Sequence, residues 1–244
     1  MAQALEWLPA AIRTLVENAT RSTLDALGEQ LRAICLVGAA AGPNRNYRGG
    51  AELLVIADDL SREALESLAL ALAPTFRGGL QVRVLTQIEL LGSVDVQALE
   101  IAEWQARNVV LAGEDPFAAL TISPVDLRHE LERALRGLSH RLRNRVLWCL
   151  ATDQRHLDTV LREGLDRLTT IGYHTLALRG QPLPLDEARA LACFIDWAGG
   201  EPTMLEPLRQ RLLSNSLATD ALAELETLAA ATALGCAMID DLAV

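Results

Sequence analysis

The chain has 244 residues, 50% of them hydrophobic, and 22 basic against 32 acidic side chains leave a formal net charge of −10. Apart from the four histidines every basic residue is arginine, which excludes a Schiff-base lysine, a P-loop lysine and a lysine general base. The acidic balance argues against general nucleic-acid binding, and neither half is a basic module, with 9 Arg against 15 Asp and Glu in residues 1–125 and 13 against 17 in residues 126–244.

Along the first half, helical and extended patterns alternate. Pro9 to Arg32 carries apolar residues at helical spacing (Ile12, Leu15, Val16, Leu24, Leu27, Leu31). Residues 33–37 read as a buried strand, and Gly38 to Gly50 as a loop rich in Gly, Pro, Asn and Arg. A second strand is predicted over 51–57 and a helix from Ser61, an N-cap with Glu63 and Glu66 in the opening turns. A third strand over 80–85, a short helix near 87–91, a segment around 96–105 and a last strand over 108–112 follow, closed by a turn at 113–116.

The second half is helical throughout. Ser123, Pro124 and Asp126 supply an N-cap, a proline at the first helical position and an early acid. The helix they open has one apolar stripe: Leu127, Leu131, Leu135, Leu138, Leu142 and Cys149. Further helices are predicted near 153–171, 184–198, 203–213 and 218–241. The expected division is therefore residues 1–122 and 123–244. Cys35, Cys149, Cys193 and Cys236 are far apart without a CxxC pair, the pattern of reduced, mostly buried thiols in a cytoplasmic protein. The longest charge-free stretch, Thr227 to Ile239, is too short to span a bilayer, and the N-terminus does not read as a signal peptide, so no membrane association is expected.

The glycine-bearing segment 38–42 follows the first strand, where nucleotide-binding folds place phosphate contacts. As a Walker A motif it lacks the lysine. As a Rossmann turn it fails on length. Only eight residues separate Gly42 from the second strand, whereas a parallel crossover with its helix takes at least about ten to twelve. The two strands are therefore expected to pair as a long hairpin within a mixed sheet.

Helix, strand, polar loop, strand, helix, strand and then a helical half: this order resembles the nucleotidyltransferase (polymerase-beta-like) superfamily. It resembles in particular bacterial proteins with an N-terminal nucleotidyltransferase-like domain and a C-terminal helical domain. The resemblance runs over most of the chain and rests on pattern. Ile34 to Ala39 stands where the family has an apolar strand ending in Gly-Ser, and Gly49 to Ile56 where it has Ser-Asp-x-Asp leading a second strand. Stretches 84–86, 93–100 and 110–115 are similar to the family's linker into the helical domain, and Leu127-Arg128 continues the match. The fold implied is α+β, a small mixed-sheet nucleotidyltransferase-like domain (1–122) followed by an all-α helical bundle domain (123–244).

The departures from the family pattern concern catalysis. Family members hold Mg²⁺ with two carboxylates two residues apart on one strand, so that both point to one face, and a third on a neighbouring strand. Here Gly50 occupies the first position and Glu52 the second; the third strand offers Gln81 and Arg83, and Ala39 replaces the serine after Gly38. The resemblance therefore implies a pseudoenzyme with vestigial positions Gly38, Ala39, Gly50 and Glu52, no metal, no cofactor, and nucleotide binding weakened or lost. Such a chain acts as a binding or interaction module, as a homo-oligomer or beside a protein partner. The alternative is a Mg²⁺-dependent transferase combining Glu52 with Asp58, Asp59 or an acid from the helical half.

Other chemistry is thinly represented. Residues 92–95 (Gly-Ser-Val-Asp) imitate the family motif but read as a helix end with its cap. Arg133 with His140 and Arg167 with His174 match the spacing of a helical RNase motif, yet residues seven apart always share a helix face, and each pair reads as a solvated patch. No histidine has metal-ligand spacing, and there is no G-x-S-x-G elbow. The arginines between 128 and 145 are the one basic concentration, read first as a salt-bridged face. Arg128, Arg136 and Arg143 cluster beside the leucine stripe and are the candidate contacts for a phosphate group or an acidic partner; RNA or protein binding by the helical half is the second alternative. The four tryptophans read as core or interface anchors.

Overall fold

The structure, a computed structural model, describes residues 5–41, 51–152, 156–181, 186–214, 216, 218 and 220–242. The chain divides into two compact units, Met1–Ile122 and Ser123–Val244. It is α+β: a four-stranded mixed sheet with helices, then helices alone.

In the first unit α1 (Ala10–Leu27) leads through a 3-10 turn (Gly28–Gln30) into β1 (Leu31–Val37). The helix stops five residues before the Arg32 that its apolar spacing suggested. Gly28 leaves the helix at a positive φ of 52°, and Leu31 points into the sheet as the first residue of β1. A 3-10 turn, Gly38–Ala41, follows β1. Next come β2 (Glu52–Ala57), α2 (Arg62–Arg77), β3 (Gln81–Thr86), α3 (Gln87–Gly92), α4 (Ala98–Ala106) and β4 (Asn108–Gly113). Ser61 caps α2 as its sequence implied, its Oγ accepting from Ala64 N at 3.3 Å.

The sheet order is β3-β2-β1-β4. β1 pairs antiparallel with β2 and with β4, and β2 pairs parallel with β3. The antiparallel β1–β2 pair is the hairpin that the short connection required. Both central strands are buried on both faces, and the period-two alternation of strand side chains divides them. Ile34, Leu36, Leu53 and Val55 pack with residues of α1 and α2, such as Val16, Leu68 and Leu72. Cys35, Val37, Leu54 and Ile56 pack on the opposite face with Leu90, Ile101, Trp104 and Phe117. By the same alternation Glu52 belongs to the face covered by α4.

The second unit consists, among the described residues, of α5 (Pro124–Ala151), α6 (Leu157–Leu178), α7 (Glu187–Trp197), α8 (Glu206–Ser214) and α9 (Ala221–Ile239). The stripe read on α5 is buried: Leu127, Leu131, Leu135, Leu138, Leu142 and Cys149. Ser123 stands at its N-cap, but no side-chain hydrogen bond forms there; Leu127 N bonds to Ser123 O at 3.0 Å instead. The helix expected to end near 171 continues to Leu178 as α6, its apolar face carrying on through Ile171, Thr175 and Leu176. Phe194 of α7 is fully buried, and only glycine fits beside its ring: a Cβ on Gly172 or Gly235 would come within 2.9 Å or 2.7 Å of it. By length and composition alone α9 is apolar enough to cross a membrane, although it includes Glu224 and Glu226; in the fold α5, α6 and α7 pack on it.

Candidate functional site

The strands on which the resemblance places the carboxylates start with Glu52 on β2 and Gln81 on β3. Their parallel register sets Glu52 opposite Gln81 and Leu54 opposite Arg83. Glu52 and Arg83 are thus diagonal neighbours on one face, a separation that a long side chain bridges. Arg83 Nε donates to Glu52 Oε1 at 3.1 Å, and its Nη1 lies 2.7 Å from Glu100 Oε1 on α4. The guanidinium also stands over the ring of Trp104, 5.1 Å from its centroid. Glu100 and Trp104 are four residues apart and so share a face of α4. Trp104 is 2% exposed and forms the apolar floor; the two glutamates flank the cation above it.

These contacts decide the electrostatics. Burial pulls the Arg83 pKa down, but hydrogen bonds and charge from Glu100 and Glu52 outweigh it and hold the guanidinium above its ordinary value. Arg83 is therefore a permanent cation between two carboxylates. A divalent metal at Glu52 would meet that guanidinium at hydrogen-bonding distance, and unlike charges already neutralise the carboxylate it would need. These residues do not suit Mg²⁺. Among the described residues no group of three His, Cys, Asp or Glu side chains comes together as a metal site.

Beside this triad an open cleft of about 560 Å³ is lined by Glu52, Phe76, Gly79, Leu80, Gln81, Val82 and Arg83. The turn after β1 is anchored from two sides: Trp7 Nε1 donates to Ala40 O at 2.8 Å, and Gly38 N donates to Arg107 O at 3.1 Å. Ala39 lies within this turn. Gly50 and most of the polar loop, 42–50, lie outside the described residues. Asp58 and Asp59 follow the other end of β2, five and more strand residues from Glu52, or about 20 Å. Asp58 instead forms an ion pair with Arg32. The structure does not bring it to Glu52.

The chain aligns with the crystal structure of spectinomycin adenyltransferase AAD(9) from Enterococcus faecialis, solved with ATP and spectinomycin. The alignment has a TM-score of 0.57 at 12% identity and covers 91% of this chain and 99% of that one. The fold is nucleotidyltransferase-like. No family model matches the sequence, and no curated protein matches it.

In the second unit the arginines of α5 are largely spoken for. Arg128 Nε donates to Leu242 O at 2.9 Å and its Nη2 to Asp240 O at 3.0 Å. Arg136 grips the Asp240 carboxylate with Nη2, 2.7 Å from Oδ1 and 2.8 Å from Oδ2, and donates from Nε to Glu132 at 3.0 Å. Both thus hold the C-terminal end of α9. Arg143 donates to Ser139 Oγ at 3.0 Å. Of the spacing pairs, Arg133 is bound to Glu130 at 2.7 Å, and His140 is exposed. His174 is 3% exposed, so the solvated patch read for it is wrong: α6 runs on past 171 and turns this residue into the bundle. Residues 92–95 end α3 as their spacing implied, with Ser93 Oγ donating to Glu89 O at 2.6 Å.

Trp104 is the buried anchor that its sequence reading gave, but the sequence did not mark it or Glu100 as partners of Arg83. Their signal was the four-residue spacing on a short helix beside a strand, which becomes informative only once α4 is known to cover the Glu52 face.

Proposed function

We propose that this chain is a catalytically degenerate nucleotidyltransferase-like protein, its residues 1–122 the nucleotidyltransferase-like domain and 123–244 the helical bundle domain. It acts in the cytoplasm as a binding or interaction module, as a homo-oligomer or beside a protein partner, with nucleotide binding weak or lost. One observation supports this reading: on β3, the strand that offers Gln81 and Arg83 where the resemblance implies a third carboxylate, Arg83 engages Glu52, the one acid of β2. Transfer of a nucleotidyl group depends on neutralising triphosphate charge with metal held by several carboxylates, and a glutamate already paired with arginine does not supply that.

The test is pyrophosphate release by the full chain with Mg²⁺ and each of the four nucleoside triphosphates, with and without spectinomycin, the ligand of the structural neighbour. No release above background is expected. Turnover that Glu52→Gln abolishes would overturn the proposal.

The alternative is an active Mg²⁺-dependent transferase using Glu52 with a non-standard carboxylate. A specific contact favours it, since Glu100 shares the Arg83 guanidinium with Glu52 and so provides a second acid nearby. On that reading Glu100→Gln abolishes transfer as completely as Glu52→Gln.

A further inference from the structure

The packing of α6 along α5 forms a second concavity, a groove of about 250 Å³. From α5 it is lined by Leu138, Arg141, Leu142 and Arg145, and from α6 by Val160, Glu163, Gly164 and Arg167. Each set has the spacing i, i+3, i+4, i+7, one continuous face of a helix. The floor is apolar: Leu138, Leu142 and Val160 are 3%, 2% and 8% exposed. Gly164 keeps the floor tight, because a Cβ there would meet Leu142 at 3.0 Å and Leu228 at 2.8 Å. The rim carries the guanidinium groups of Arg141, Arg145 and Arg167 and the carboxylate of Glu163.

Arg141 and Arg145 differ from the arginines nearer the start of the same helix. Arg128, Arg133 and Arg136 each pair with an acid, whereas Arg141 and Arg145 form no ion pair or hydrogen bond with any described residue. Like charges four residues apart on a helix repel, and this chain has a surplus of acids that could have been placed beside them. Two same-face guanidinium groups left over an apolar floor make a site for an anion with an apolar part.

We propose that the α5–α6 groove binds a small phosphate monoester carrying an apolar group. The guanidinium groups of Arg141 and Arg145 bring two positive charges to a phosphate dianion, and arginine forks suit its oxygens bidentately. The floor takes the apolar substituent, and the volume limits the ligand to a small one. A long polyanion does not fit the same chemistry, because beyond the groove it meets a chain with a net charge of −10.

Calorimetric titration of the full chain with phenyl phosphate, at low salt, tests this. One-to-one binding with a Kd below about 1 mM is expected, the range open to a ligand of this size. Inorganic phosphate, lacking the apolar part, is expected to bind at least about tenfold more weakly. Arg141→Gln with Arg145→Gln, both exposed positions, should weaken phenyl phosphate at least about tenfold while the far-ultraviolet circular dichroism stays unchanged. Arg62→Gln, which removes one positive charge from the first unit, should leave the affinity alone. No saturable binding up to about 10 mM, equal affinity for inorganic phosphate, or equal loss in Arg62→Gln would each overturn the proposal. None of these results bears on nucleotidyl transfer, which is read in the other unit.

Discussion

Arg83 donates to Glu52 across the parallel β2–β3 ladder at 3.1 Å, one strand bridging to the next through a cation where the resemblance places acids on both. With Glu100 on the other side and Trp104 beneath, this guanidinium joins the sheet to α4. The guanidinium neutralises the two carboxylates, but unlike a metal ion it cannot polarise a phosphoryl oxygen as a Lewis acid does.

The strength of this link is measurable by a double-mutant cycle. The side chains are 25% to 37% exposed, so solvent screens the pairs and each contributes less than about 1 kcal/mol, with the contact to Trp104 adding a similar amount. Arg83→Gln is expected to lower stability by about 1–2 kcal/mol in urea denaturation. The Glu52→Gln, Arg83→Gln cycle should return a coupling of about 0.5 kcal/mol. Zero coupling would mean that the pair is not formed in solution.

How far the site was legible follows from this pair. Alternation alone puts residues 52, 54 and 56 on one face of β2 and 81, 83 and 85 on one face of β3, so Arg83 could be placed near Glu52 once the strands were assigned. The strands were readable because β1 and β2 are runs of buried apolar residues and because eight residues cannot make a crossover. Partners across elements were not readable. Glu100 reaches Arg83 only through the packing of α4, and the Arg141, Arg145 and Arg167 rim exists only because α6 lies along α5. A helical wheel of α5 by itself pointed to Arg128, Arg136 and Arg143, and two of these hold the end of α9.

Gly113 ends β4 against β1 with φ 77°, and a Cβ there would fall 1.9 Å from the backbone oxygen of Arg32. Backbone on backbone cannot relieve such a clash by a rotamer change. Gly113→Ala is expected to cost about 3 kcal/mol or more, or to prevent folding. Gly79 has φ 81° but open space around it, so Gly79→Ala should cost only the left-handed backbone penalty, about 1–2 kcal/mol. Thermal unfolding of the two variants separates the contributions; equal losses would contradict the β1–β4 contact.

Cys35, central in β1, is fully buried, and burial, helped by the charge of Asp115, pushes its thiol up to about 12. Folding therefore keeps a proton that the unfolded chain releases above the ordinary thiol range. Stability is unaffected by this group at neutral pH and falls as pH rises from about 9 toward 12. At pH 8 iodoacetamide should modify Cys193 and Cys236, which are partly exposed, before Cys35 and Cys149. Mass spectrometry of labelled peptides gives the order, and early modification of Cys35 would contradict the closed sheet.

The end of α9 makes the last test. Its terminal carbonyls lack helical partners; Arg128 donates to the C-cap carbonyl, Asp240 O, and to Leu242 O just beyond the helix, while Arg136 holds the Asp240 carboxylate. Cationic donors at a helix C-terminus also complement its dipole. Arg128→Ala is expected to cost about 1–2 kcal/mol and to speed amide exchange in the last turn of α9. Arg136→Ala, whose side chain is 49% exposed, should cost less than about 1 kcal/mol. If these arginines instead served an anionic partner, adding that partner would compete with the carbonyls and accelerate the same exchange in the unmodified chain. Protection of the last turn that persists in Arg128→Ala would show that α9 needs no clamp and would return Arg128 to the candidates for partner contact.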